Sequence, residues 1–98
     1  MFPDVLDGAK VLLFTPKDDY GIMYDTTGNA VAYFKYLSIC KYGNREGYYL
    51  FKCNEEYEVV SDSLWDSIEM CMSVANASYG GNILWVEKWQ TNLNSMDC

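Results

Sequence analysis

Six carboxylates crowd one short stretch of this chain: Glu55, Glu56, Glu58, Asp62, Asp66 and Glu69, with no Lys or Arg between the first and the last. Tyr57, Val59, Val60, Leu64, Trp65 and Ile68 are interleaved with them. Asp62 and Asp66 are a carboxylate pair of the kind that acid–base catalysis recruits in other settings. Proton transfer at neutral pH, however, draws most often on His, and the chain has none. Its Ser and Cys residues have no evident base partner. The chemistry this stretch offers is therefore electrostatic recognition by an ordered negative face. Glu55, Glu56, Tyr57, Glu58, Asp62, Trp65, Asp66 and Glu69 are its expected partner-binding residues, with no catalytic and no cofactor-binding residue.

Other clusters carry weaker chemistry. Asp18, Asp19 and Asp25 share a Gly-containing segment whose oxygens suit a hard cation, but their spacing is not that of an EF-hand loop. They read as solvated loop acids, and no metal site is expected. Cys40, Cys53, Cys71 and Cys98 form no C-x-x-C pair. The first three read as small buried hydrophobes in a reducing cytosol, and Cys98 as an exposed thiol. Tyr79-Gly80-Gly81-Asn82 lacks the Lys and the strand–loop–helix order of a phosphate loop, and reads as a helix stop. Asn76-Ala77-Ser78 matches a glycosylation acceptor but falls inside an expected helix.

Composition narrows the function classes. Ninety-eight residues suit a single domain over 1–98, and 50% hydrophobic content with 16% aromatic content is enough to build a core. The net charge of −7 disfavours nucleic acid and anionic membrane surfaces, both of which demand clustered Lys and Arg. No apolar run approaches the ~20 residues of a membrane helix. Met1-Phe2-Pro3-Asp4 has no basic flank, so a secretory leader is not expected and the predicted compartment is the cytoplasm.

The elements that must position the acids follow from the apolar pattern. Residues 1–8 read as a lead-in ending in an Asp7-Gly8 turn, and Ala9 to Thr15 as a buried strand closed by Pro16. Lys17 to Asn29 reads as a long loop with a short extended piece at Ile22–Tyr24. Extended chain is expected through Ala30–Tyr42, most clearly over Tyr36–Lys41. It should form a hairpin with Gly47–Cys53 across the Gly43–Gly47 turn. Asn54-Glu55 turns the chain again, and Glu56–Val60 alternates like a half-exposed strand. Ser61-Asp62-Ser63 offers helix caps, after which Leu64, Ile68, Cys71, Met72, Ala75 and Tyr79 recur at helical spacing up to Gly80-Gly81. Ile83–Trp89 reads as a last strand, with Trp85 and Trp89 on one face. Tyr48 and Tyr49 point to opposite faces, which leaves at least one of them as a candidate exposed anchor. The fold class is α+β: an antiparallel sheet of four to five strands with one main helix packed on one face.

Three segments carry a resemblance: Lys10-Val11-Leu12-Leu13-Phe14-Thr15-Pro16, Leu37-Ser38-Ile39-Cys40-Lys41-Tyr42 and Gly47-Tyr48-Tyr49-Leu50-Phe51-Lys52-Cys53-Asn54-Glu55. Followed by Val60-Ser61-Asp62-Ser63 and the acidic amphipathic segment, this order resembles a group of small acidic cytosolic bacterial proteins. Some of these act as immunity proteins that neutralise toxins of interbacterial competition. The chain departs from that pattern where Tyr57 replaces a Trp and Leu64-Trp65 replaces a His. The resemblance implies a non-catalytic inhibitor whose partner is a basic protein, such as a nuclease effector. Steering by the field would precede occlusion, with Tyr57 or Trp65 filling a pocket. A phage- or host-encoded inhibitor of a nucleic-acid-binding enzyme obeys the same physics. A homodimeric subunit that buries its aromatics is the remaining alternative.

Overall fold

The computed structural model describes residues 1–88. Its strands are β1 (Val5–Leu6), β2 (Ala9–Phe14), β3 (Gly21–Tyr24), β4 (Ala30–Phe34), β5 (Tyr36–Lys41), β6 (Tyr48–Cys53), β7 (Val59–Trp65) and β8 (Val86–Glu87). One helix, α1 (Ile68–Tyr79), lies between β7 and β8. A curled antiparallel sheet runs in the order β1-β2-β5-β6-β7, and β8 joins the outer edge of β2 beyond β1. The expected α+β class, sheet and single main helix are all present. The β3–β4 hairpin stands as a separate two-stranded sheet.

Strand alternation builds an apolar layer on each face of the main sheet. On one face Leu13, Leu37, Ile39 and Leu50 meet Cys71 and Ala75 of α1. On the other, Val11, Cys40, Phe51 and Cys53 are covered by Phe2 and Leu6 from the amino-terminal segment. A register shift between Val11 and Leu13 lets one strand serve both layers, since the extra residue of a bulge reverses the alternation. The lead-in expected over residues 1–8 is thus structural. It pairs as β1, its Asp7-Gly8 turn has both residues at positive φ (48° and 82°), and Phe2 stacks on Phe14 at 4.7 Å.

The extended piece expected at Ile22–Tyr24 is present as β3, where it forms one strand of a hairpin with β4. Asp25 Oδ1 accepts from the backbone N–H groups of Thr27 and Asn29, both at 2.9 Å, and Gly28 takes a left-handed φ of 89°. That local turn closes β3 onto β4. The helix starts later than the Ser61-Asp62-Ser63 caps suggest. Those residues lie in β7, where Phe51 pairs with Asp62 and Leu50 with Ser63. Ser67 is the cap instead, accepting from the Met70 N–H at 3.0 Å. Continuing the ladder opposite β6 satisfies backbone groups along seven residues, whereas an early helix turn carries the nucleation cost of its own first hydrogen bond. Of the helix-spaced residues, Leu64 therefore falls on the strand and is exposed. The last predicted strand shortens to β8, and Trp89 and Cys98 lie outside the described residues.

Burial raises the Cys40 and Cys53 thiols from 9.0 to about 12. The unfolded chain releases these protons near pH 9, while the folded chain holds them. Stability from this source is complete below pH 9 and falls as pH climbs toward 12. Chemical denaturation at stepped pH should show that loss, and Cys40→Ala with Cys53→Ala should flatten the slope. Peptide mapping after thiol labelling should find Cys40, Cys53 and Cys71 unmodified until the chain unfolds. Ser67→Ala should lower stability by about 1 kcal/mol through loss of the cap, whereas Ser61→Ala should leave helix content unchanged by circular dichroism.

Candidate protein-docking surface

The residues from Ala30 to Lys41 form one extended run bent at Lys35. Below the bend, β5 is sandwiched between β2 and β6. At the bend, the Lys35 N–H donates to the Cys53 carbonyl at 2.8 Å, the last backbone bond on that side. The connection from β2 to β3 secures the opposite side. Thr15 N–H donates to Leu37 at 3.0 Å, Asp18 N–H to Lys35 at 3.1 Å and Tyr20 N–H to Phe34 at 2.8 Å. Above the bend β4 keeps β3 as its neighbour, but β6 has turned away at Asn54. Among the described residues, the second edge of β4 pairs with no strand.

Asn54 builds the turn that leaves this edge open. Its N–H donates to the Glu58 carbonyl at 3.0 Å and its carbonyl accepts from the Tyr57 N–H at 3.1 Å. Its Oδ1 accepts from the Glu56 and Glu58 N–H groups, both at 2.9 Å, and its Nδ2 donates to Glu58 Oε1 at 2.7 Å. Tyr57 occupies a left-handed φ of 65°, a conformation that costs about 1–2 kcal/mol outside Gly. Packing holds it there, with its ring 4.7 Å from Tyr36 and 5.3 Å from Phe2. A hydrogen bond with Tyr57, together with burial, pushes the Tyr36 phenol up to about 12.

An open groove of about 380 Å³ lies between β4 and this turn, lined by Val31, Ala32, Tyr33, Lys35, Asn54, Glu55, Glu56 and Val60. The register of the hairpin sets Ile22 opposite Tyr33 and Met23 opposite Ala32. Met23 packs toward the core with Phe34. Ile22 and Tyr33 take the opposite face and are 42% and 53% exposed; past the register shift between Met23 and Tyr24, Tyr24 and Val31 are also exposed, at 58% and 57%. The groove therefore runs into an uncharged apolar row, an arrangement that marks interaction surfaces on soluble proteins.

The eight acidic and aromatic residues expected to act together are divided by the structure. Glu55 and Glu56 line the groove. Glu55 pairs with Lys17 at 2.9 Å, and that contact lowers its pKa. The Glu58 carboxylate is engaged by Asn54. Asp62 sits opposite Phe51 on the face away from the helix, while Trp65 lies on the helix-side face beside Tyr48. Asp66 and Glu69 follow the far end of β7, about 20 Å along a strand of this length. Among the described residues, Glu56, Asp62, Asp66 and Glu69 form no ion pair. Tyr57 and Trp65, the expected pocket-fillers, are half-buried and turned inward. Trp65 Nε1 donates to Ser63 Oγ at 2.7 Å. Tyr48 and Tyr49 do take opposite faces, and both are half-buried rather than exposed.

Several cations are turned inward too. Lys35 pairs with Asp19, Lys88 with Asp4 at 3.2 Å, and Lys41 Nζ donates to the Arg45 carbonyl at 2.7 Å. Asp18 bonds the Tyr79 hydroxyl at 3.1 Å and Asp25 organises its own turn, so the three loop acids serve separate local contacts. Among the described residues, no helix is long and apolar enough to cross a membrane. Comparison with protein-family models, with curated proteins and with solved structures finds no match.

Sequence reasoning missed Val31, Tyr33, Ile22, Tyr24 and Asn54. The available signal was two uncharged runs, Gly21–Tyr24 and Ala30–Phe34, flanking the turn chemistry of Asp25, Gly28 and Asn29. Asn54→Ala should destabilise the protein by about 1–3 kcal/mol, since it leaves several turn groups unpaired. Hydrogen exchange should find the Glu56 and Glu58 amides unprotected in that variant, with the β5–β6 ladder intact.

Proposed function

We propose that this protein is a non-catalytic acidic inhibitor that docks a basic protein through the face shared by the β4 groove and the β3–β4 apolar row. Its fitting role is toxin neutralisation of the immunity-protein kind, carried out in the cytoplasm against an effector such as a nuclease. The observation that carries this reading is the junction of Val31 and Tyr33, both exposed and apolar, with Glu55 and Glu56 across one groove. Apolar anchors beside acidic charge are the composition of an interface core and its rim.

The physical sequence is steering, then occlusion. A net charge of −7 attracts a basic surface from beyond contact, with a reach set by a Debye length of about 8 Å at physiological salt. On contact, Glu56 takes a Lys or Arg of the partner, and Glu55 exchanges Lys17 for another. Close interfacial charge pairs couple by about 1.5–7 kcal/mol, so two of them suffice to separate a tight complex from a weak one. Tyr33 and Val31 supply desolvated contact area on a hairpin anchored by Phe34. The exposed row Ile22, Tyr24, Val31 and Tyr33 also favours a homodimer as a second reading, and sedimentation at micromolar concentration separates the two.

The test uses the protein encoded next to this gene in its native host, assayed for toxicity and for association with this protein. Glu55→Lys with Glu56→Lys should weaken association at least tenfold, about 1.4 kcal/mol, and flatten its salt dependence. Tyr33→Ala should weaken it at every salt concentration. Asp66→Lys with Glu69→Lys, at the far end of β7, should leave it within about twofold. An equal loss in the distal pair would reassign the surface. Failure to inhibit the neighbouring toxin would overturn the role.

A further inference from the structure

The open edge of β4 has a property beyond its side chains. Along an extended strand, backbone groups alternate in direction, so those of Tyr33 point to the same side as the Lys35 N–H that bonds Cys53. The donor and acceptor of Tyr33 therefore face the groove as an unfinished continuation of the β5–β6 ladder. Free edges usually carry Lys, Pro or other charge to block pairing. The other long edge, β7, carries Asp62 and is followed by Asp66. β4, Ala30-Val31-Ala32-Tyr33-Phe34, contains no charged residue and no Pro.

We infer that β4 is an acceptor for strand addition, and that its occupant is an extended segment of the basic partner with alternating cationic and apolar side chains. The inference rests on the proposed docking function and specifies how the same surface binds. The partner's backbone takes the place that β6 vacates at Asn54. Its apolar side chains lie along Val31, Tyr33 and Val60, and its cationic side chains reach Glu55 and Glu56 across the groove. Charge complementarity selects this occupant over a second copy of the chain. A self-docked β4 would join two chains of net charge −7. The mode is β-augmentation, in which main-chain bonds supply affinity and alternate side chains supply specificity.

The probe is an acetylated, amidated heptapeptide of alternating Lys and Val, added to the full-length protein and followed by amide chemical shifts. The expected result is binding tighter than about 1 mM, with shifts at Val31, Tyr33 and Glu56, and added exchange protection at the Tyr33 amide. Two further peptides carry backbone N-methyl groups on the Lys residues or on the Val residues. One set removes the donors facing β4 and should weaken binding at least tenfold. The other removes donors facing solvent and should change it less than about threefold. Glu55→Lys with Glu56→Lys should abolish binding of all three peptides. If the parent peptide shifts the same amides but both methylated forms bind equally, strand addition is wrong and the docking surface stands. If the parent peptide fails to bind, or its shifts map away from β4, both the mode and the surface are wrong.

Discussion

The backbone bond from the Lys35 N–H to the Cys53 carbonyl marks the point on which the rest of this architecture turns. Below it, one extended run is held on both sides, by β2 and by β6. Above it, β6 leaves, and the same run continues with a single neighbour. A strand in the middle of a sheet becomes an edge within two residues, without any change in its own conformation class. The exposed apolar row, the groove and the open backbone edge all follow from that departure.

The departure is enforced by Asn54. A single side chain with one acceptor oxygen and one amide nitrogen satisfies Glu56, Glu58 and the Glu58 carboxylate, while its backbone closes the turn from both directions. Tyr57 accepts a costly left-handed conformation, and the aromatic layer of Phe2, Phe14 and Tyr36 offsets that cost. The amino-terminal segment therefore reaches the proposed docking surface indirectly. Phe2 caps the layer that holds Tyr57, and Tyr57 shapes the turn that carries Glu55 and Glu56. Lys88 closes the same end by donating to the Phe2 carbonyl at 2.6 Å.

Charge is distributed with a similar asymmetry. The cations mostly find internal work, pairing with Asp4, Asp19 and Glu55, donating to carbonyls or lying over rings, as Lys52 does over Phe34 at 5.2 Å. Carboxylates such as Glu56, Asp62, Asp66 and Glu69 remain unpaired among the described residues. At the β4 groove, among the described residues, this excess negative charge coincides with exposed apolar side chains and a strand edge that pairs with no other strand. Long-range attraction and short-range specificity are thus separable properties of this molecule.

Composition and periodicity alone determined the α+β class, the central β5–β6 hairpin, the buried cysteines and the acidic character, because apolar alternation and turn residues act locally. The helix was legible in Ile68, Cys71, Met72, Ala75 and Tyr79, and its end in Gly80. Its start was not, because Ser61, Asp62, Ser63 and Ser67 are all competent caps and only pairing with β6 decides among them. The placement of the acids differs from a helical reading for the same reason. A strand alternates faces with a period of two where a helix turns every 3.6 residues, so moving Asp62 through Trp65 from one to the other redistributes every side chain. The proposed docking surface itself belongs to tertiary structure. Val31 and Tyr33 lie more than twenty residues from Glu55 and Glu56 in the chain. Only the bend at Lys35 and the turn at Asn54 bring them to one groove, a long-range closure that no local pattern encodes.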